Sequence, residues 1–259
     1  MSELFFPPRP SAAPTIYAYA STHPDHAGML KVGYTERQAA ERIAEQWPGG
    51  LKAYRIELIE PAMRADGSTF TDHDIHKRLR AKGVKNITNE WFKCSLKDVK
   101  AAILAVRERT ENIEDRTLSF GLRPEQEDAV SCTAEYFKRA VKEQKGRVPR
   151  FLWNAKIRFG KTFATYELAR RMGWKKVLVL TLKPAVQHAW REDLERHINY
   201  EGWQFITRGG LQHEDADNKK PIVCFGSFQD FLQRTSEGAI KPKNEWVHET
   251  KWDCVVLDE

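Results

Sequence analysis

Apolar and polar side chains alternate over residues 15–20, the period of a β-strand, and residues 30–34 repeat that pattern over a shorter run. Residues 22–28 between them are rich in turn formers. Thr35 is placed to cap a helix over 36–47, which Pro48, Gly49 and Gly50 would stop, and residues 51–59 read as a third strand. Apolar spacing predicts two further helices, over 71–81 and over 97–109, the second with Val99, Ile103 and Val106 on one face. Residues 111–121 carry no sustained apolar stripe and are expected to be a linker. The proline-rich opening, residues 1–14, is expected to be a loose leader.

From residue 122 the pattern changes. Helices are predicted over 123–141, 161–172 and 185–197, a short buried strand over 151–155, and strands over 176–182, 221–227 and 252–257. Strands alternating with helices predict a parallel sheet built of βαβ units. The chain therefore reads as α/β with two domains, 15–110 and 122–259, and shows neither internal repeats nor low-complexity tracts.

Composition narrows the function. With 259 residues, 41% of them hydrophobic and 30% charged, each half can bury a core of its own. Apolar runs such as 177–182 are far too short to span a bilayer, and residues 1–10 show no secretion signal. The formal net charge of +6 favours a polyanionic partner. Cys94, Cys132, Cys224 and Cys254 form no close pair, so no zinc knuckle or disulfide framework is expected, and a reducing cytoplasm fits.

The strongest chemical signal runs from Ala155 through Arg158, Gly160 and Lys161 to Thr162, between the expected strand and a helix that starts at Lys161. Such a loop aims backbone N–H groups and a helix amino terminus at phosphate, with the lysine on the outer phosphates and the threonine hydroxyl on Mg2+. Ala155 stands where the strict pattern has glycine. Residues 254–259 supply the complement, an apolar strand that delivers Asp258 and Glu259 to the sheet edge where ligands sit. There an aspartate can hold magnesium and a glutamate can polarise the attacking water.

With those residues, 122–259 resembles the first RecA-like lobe of superfamily 2 helicases, of the DEAD/DEAH type found in restriction and phage defence. The resemblance implies ATP and Mg2+ as cofactors. Arg123 and Gln126 would lie at the adenine, and Thr181, Lys183, Pro184, Ser227 and Gln229 against the DNA backbone. It also implies a second RecA-like lobe bearing an arginine finger, which this sequence lacks, so a truncated lobe with weak nucleotide binding and slow hydrolysis is expected.

In the first domain, Ile16 and Tyr17, then Lys31 to Thr35, then Arg42, resemble the GIY-YIG nuclease superfamily in its phage-associated branch, as do Asp72 to His76 and Asn89 to Phe92 further on. The resemblance implies a short antiparallel sheet with helices. It makes Tyr17 the phenol that activates or orients water, Arg42 the phosphate clamp, Asp72 or Glu90 the holder of Mg2+ or Mn2+, and His76 an aid to proton transfer. Lys31 stands where the family has its second tyrosine and is expected to contact DNA. The expected partner is DNA, with RNA left open and no membrane. Three readings stay open: an ATP-dependent motor with an endonuclease module, a non-catalytic regulator that binds nucleotide and DNA, and a small-molecule kinase on the P-loop.

Overall fold

A computed structural model describes residues 13–47, 53–143, 147–182 and 184–258. The expectations for most of the leader, for the stop at 48–50, for Lys183 and for Glu259 fall outside those residues. The chain is α/β and divides into two compact units between Thr117 and Leu118.

The first unit runs β1 (Thr15–Ser21), β2 (Leu30–Thr35), α1 (Ala39–Glu45), β3 (Tyr54–Pro61), α2 (Asp72–Ala81), β4 (Lys85–Thr88), β5 (Trp91–Lys93) and α3 (Leu96–Glu108). Its sheet has the order β3-β1-β2-β5-β4, and every pairing is antiparallel. β1 is buried on both faces, which the expected apolar/polar alternation did not anticipate. Ile16 and Ala18 pack with Ile75 and Leu79 of α2 and with Val99 and Ile103 of α3, whereas Tyr17 and Tyr19 pack on the opposite face with Ile43 of α1. Helix α2 is capped by the Asp74 carboxylate, which accepts from the Thr71 N–H at 2.9 Å. Ser95 and Asp98 cap α3 reciprocally.

Two expectations in this unit need correction. Thr35 does not cap α1. Its hydroxyl accepts from the Arg37 N–H, a local turn, and the helix begins only at Ala39. Strands β4 and β5 were not foreseen, because four largely polar residues, and two aromatic ones followed by a lysine, carry too little pattern to show a period. The boundary between the two units falls inside 111–121, the expected linker, whose first residues are packed on the first unit. Asn112 and Arg116 are buried, with the Asn112 amide donating to the carbonyls of Ala101 and Arg116. Leu118 belongs to the second unit, where it exchanges backbone bonds with Arg196 and Ile198.

The second unit contains α4 (Pro124–Glu143), α5 (Lys161–Met172), β6 (Lys176–Thr181), α6 (Gln187–Arg196), β7 (Gln204–Ile206), β8 (Ile222–Ser227), α7 (Phe228–Phe231), α8 (Pro242–Glu249) and β9 (Cys254–Asp258). Its sheet is parallel throughout, in the order β7-β8-β6-β9, as strand–helix alternation predicts. Val177, Val179, Val223 and Phe225 form its core with Tyr166, Trp190 and Tyr200. The strand expected at 151–155 is absent. Those residues join no ladder and leave Leu152 88% exposed, and an apolar run becomes a strand only where a neighbour can take its backbone bonds.

Candidate functional site

In the first unit Tyr17, on the face of β1 that packs against α1, lies within electrostatic reach of Arg42, Asp72 and Glu90. Tyr17 lies opposite Gly33 in the ladder, and its ring lies against that glycine: a Cβ there would come within 2.5 Å of the phenol oxygen. The glycine is required for this approach, since any side chain would displace the ring. The Tyr17 phenol oxygen accepts from Nε2 of Gln46, just past the end of α1, at 2.9 Å. Oε1 of the same amide accepts from the Tyr19 hydroxyl at 2.9 Å and from Lys31 Nζ. Lys31 in turn pairs with Glu90 at 3.2 Å.

Lys31 is therefore bound into the site's own network, and its side chain is only 18% exposed. Gln46 was missed altogether. An amide near a helix end carries no motif, and only the fold brings it to a tyrosine 29 residues away.

Burial pushes the Tyr17 phenol above its ordinary value, partly offset by the hydrogen bond from Gln46, with Glu90, Arg42 and Asp72 all within electrostatic reach. Arg42 is exposed on α1 and pairs with Glu45 at 3.3 Å, a carboxylate it shares with Arg37. Asp72 opens α2, where its Oδ1 accepts from the His73 N–H at 3.0 Å. His76 is buried, and its Nε2 lies 2.8 Å from the Val32 carbonyl. An acceptor there requires the proton on Nε2, so this nitrogen anchors α2 to β2, and only Nδ1 is left to accept a proton. Burial holds the imidazole below its ordinary value.

Among the described residues no three His, Cys, Asp or Glu side chains are grouped to hold a metal ion. Magnesium and manganese take one or two carboxylates and fill the remaining positions with water and substrate phosphate. Asp72 and Glu90 fit that donor set, although Glu90 is shared with Lys31.

In the second unit, Lys161 at the start of α5 and Asp258 at the end of β9 lie 3.4 Å apart, and the Trp190 indole N–H donates to Asp258 at 3.1 Å. Thr181, Ser227 and Asp258 end three adjacent strands in matched register. The loop before α5 is shaped by Arg158, at φ 65°, and Gly160, at φ 80°. Left-handed backbone is costly for arginine and easy for glycine. Ala155 sits one residue ahead of the turn that the Phe159 N–H to Lys156 carbonyl bond closes, and Thr162 follows Lys161 in the first turn of α5, half-buried.

Several expected roles meet obstacles here. Gln126 is buried. Its Oε1 accepts from the Arg123 N–H and its Nε2 donates to the Phe159 carbonyl at 2.7 Å, so both ends of the amide are engaged with the protein instead of presented to an adenine. The Arg123 guanidinium donates to the Arg158 and Phe159 carbonyls. Thr181 is fully buried, and the Ser227 hydroxyl caps α7 through the Asp230 N–H at 3.0 Å, which leaves neither side chain facing outward to DNA. Pro184 and Gln229 are exposed. A cavity of ≈ 460 Å³ in this unit, lined by Thr207, Arg208, His213, Asp230 and Trp246 among others, includes none of the phosphate-loop residues.

Residues 16–107, from β1 into α3, match the T5orf172 domain. The chain is also 34% identical over 145 residues to a Mycoplasma pneumoniae protein provisionally named as the C-terminus of a type II restriction enzyme and methyltransferase. That alignment covers 53% of this chain and 19% of the relative, so the chain spans about a fifth of the relative's length. No solved structure matches the chain.

Proposed function

We propose that this chain is a DNA-processing protein in which the first unit cuts one strand of DNA with metal assistance and the second binds ATP as the first lobe of a superfamily 2 motor. The observation that carries this reading is the convergence of Tyr17, Lys31, Arg42, Asp72, His76 and Glu90 inside the segment that matches the T5orf172 domain. The restriction-enzyme name of the Mycoplasma relative supports DNA as the substrate.

In this reading Arg42, exposed and planar, grips a phosphate in bidentate fashion. Tyr17 holds the attacking water through its phenol, and Asp72 with Glu90 would hold the metal. A bound magnesium or manganese supplies charge to stabilise the leaving oxygen. His76 keeps α2 docked on the sheet and so fixes where Asp72 stands. In the second unit, Lys161 would exchange Asp258 for a phosphate while Asp258 and Thr162 take up magnesium. Gln126 must release the Phe159 carbonyl before it can read a base.

Supercoiled plasmid incubated with magnesium or manganese tests the reading. Metal-dependent nicking by the intact chain, lost in both Tyr17→Phe and Arg42→Ala, is the expected result. A second reading, a non-catalytic regulator that binds nucleotide and DNA, is favoured by the Lys31–Glu90 ion pair, which neutralises one of the two candidate metal carboxylates. No nicking from a folded chain that still shifts DNA on a gel would establish it.

A further inference from the structure

The two ends of the Gln46 amide have the same shape and opposite hydrogen-bonding character, and its surroundings decide which end faces which partner. Lys31 is donor-only, and it is held in place by Glu90 at 3.2 Å. The end of the amide facing Lys31 must therefore be the oxygen, which also accepts from Tyr19. The nitrogen is left facing Tyr17, 2.9 Å from the phenol oxygen. A phenol that accepts from the protein in this way keeps its own proton directed elsewhere. The ring cannot swing to reverse the arrangement, because Gly33 lies against one side of it and its burial is nearly complete.

We propose that Gln46 is a positioning residue of this site, fixing Tyr17 as an acceptor from that amide with its own proton directed away from it, and with Lys31 choosing the end of the amide that does so. Lys31 thereby acts on Tyr17 through Gln46 and not through DNA. The contact itself stands on geometry; its part in cleavage rests on the nuclease reading above.

The test combines Gln46→Glu and Gln46→Met with 13C labelling of the tyrosine ring carbon that bears the hydroxyl. The Tyr17 resonance is assigned by its absence in Tyr17→Phe. Gln46→Glu keeps the length of the side chain and still accepts from Tyr19 and Lys31, but when ionised it cannot donate to Tyr17. Gln46→Met keeps similar bulk and loses every polar contact, so one of the two is expected to fold even if the other does not. At neutral pH both are expected to move the Tyr17 resonance and leave that of Tyr34 in place. The nicking kcat is expected to fall about tenfold with KM unchanged, the scale on which losing a supporting hydrogen bond weakens the group it orients.

An unmoved Tyr17 resonance in Gln46→Glu overturns the proposal whatever the activity. A moved resonance with unchanged kcat overturns the part Gln46 plays in catalysis. A moved resonance in a chain that never nicks DNA upholds the contact and refutes only the nuclease reading.

Discussion

The two candidate sites are built in opposite ways. In the first unit the chemistry-bearing groups are tied to one another: Tyr17 to Gln46, Gln46 to Lys31, and Lys31 to Glu90. In the second, Arg123 and Gln126 are tied to the carbonyls of the very loop they would serve, and Lys161 is tied to Asp258. A side chain held by its working partners is already oriented for a substrate. One held by the loop must give up a hydrogen bond before a ligand can take its place, which subtracts from affinity. The first site is therefore expected to tolerate little change, and the second to respond weakly to its ligand.

The largest effect that would sharpen this contrast is on nicking. Tyr17→Phe is expected to lower the rate roughly 100-fold or more, the range for removing a group that handles the proton, with nucleotide binding unchanged. Lys161→Ala is the mirror experiment. Losing a charge-assisted contact worth about 1.5–3 kcal/mol should weaken nucleotide binding roughly ten- to a hundredfold in a filter or fluorescence assay, with nicking intact. If either variant disabled both activities, the two sites would not be separable.

Gly33→Ala comes next. The new methyl group must displace the Tyr17 ring, at about 1–3 kcal/mol of stability for overpacking and with loss of nicking; retention of full nicking would show that the position of the ring does not matter. Asp253→Ala probes the other sheet. Asp253 accepts from the N–H groups of Lys175 and Lys176, so its loss should cost about 1 kcal/mol in denaturant melts while nicking persists. The smallest effect concerns pH. The folded state holds the His76 imidazole below its ordinary value, so the unfolded chain binds the proton first as pH falls. Stability is then complete above the ordinary imidazole range and declines as pH drops through it toward the folded value. In His76→Phe that part of the decline should disappear from melts recorded between about pH 5 and 7.

Helices α2, α3 and α5 were legible in the sequence, because the pattern that marks a helix acts within a turn or two of the residues that carry it. The parallel sheet of the second unit followed from strand–helix alternation. What could not be read is what long-range partners decide. Residues 151–155 have the composition of a strand and no neighbour to pair with. The contact between Gln126 and the Phe159 carbonyl, 33 residues away, carries no local signal. The partners of Lys31, Gln46 and Glu90, were not legible either, since they depend on how α1 and the β4–β5 turn fold back onto β2.

The outer side of β9 has a practical consequence for anyone handling the chain. Among the described residues no strand pairs with that side, and Val255 and Leu257 are 50% and 70% exposed along the strand. A bare edge rimmed with aliphatic groups is a template onto which another such edge can add. Light scattering should therefore rise with protein concentration, and a charge introduced by Leu257→Lys should keep solutions clear at concentrations where the original chain turns cloudy.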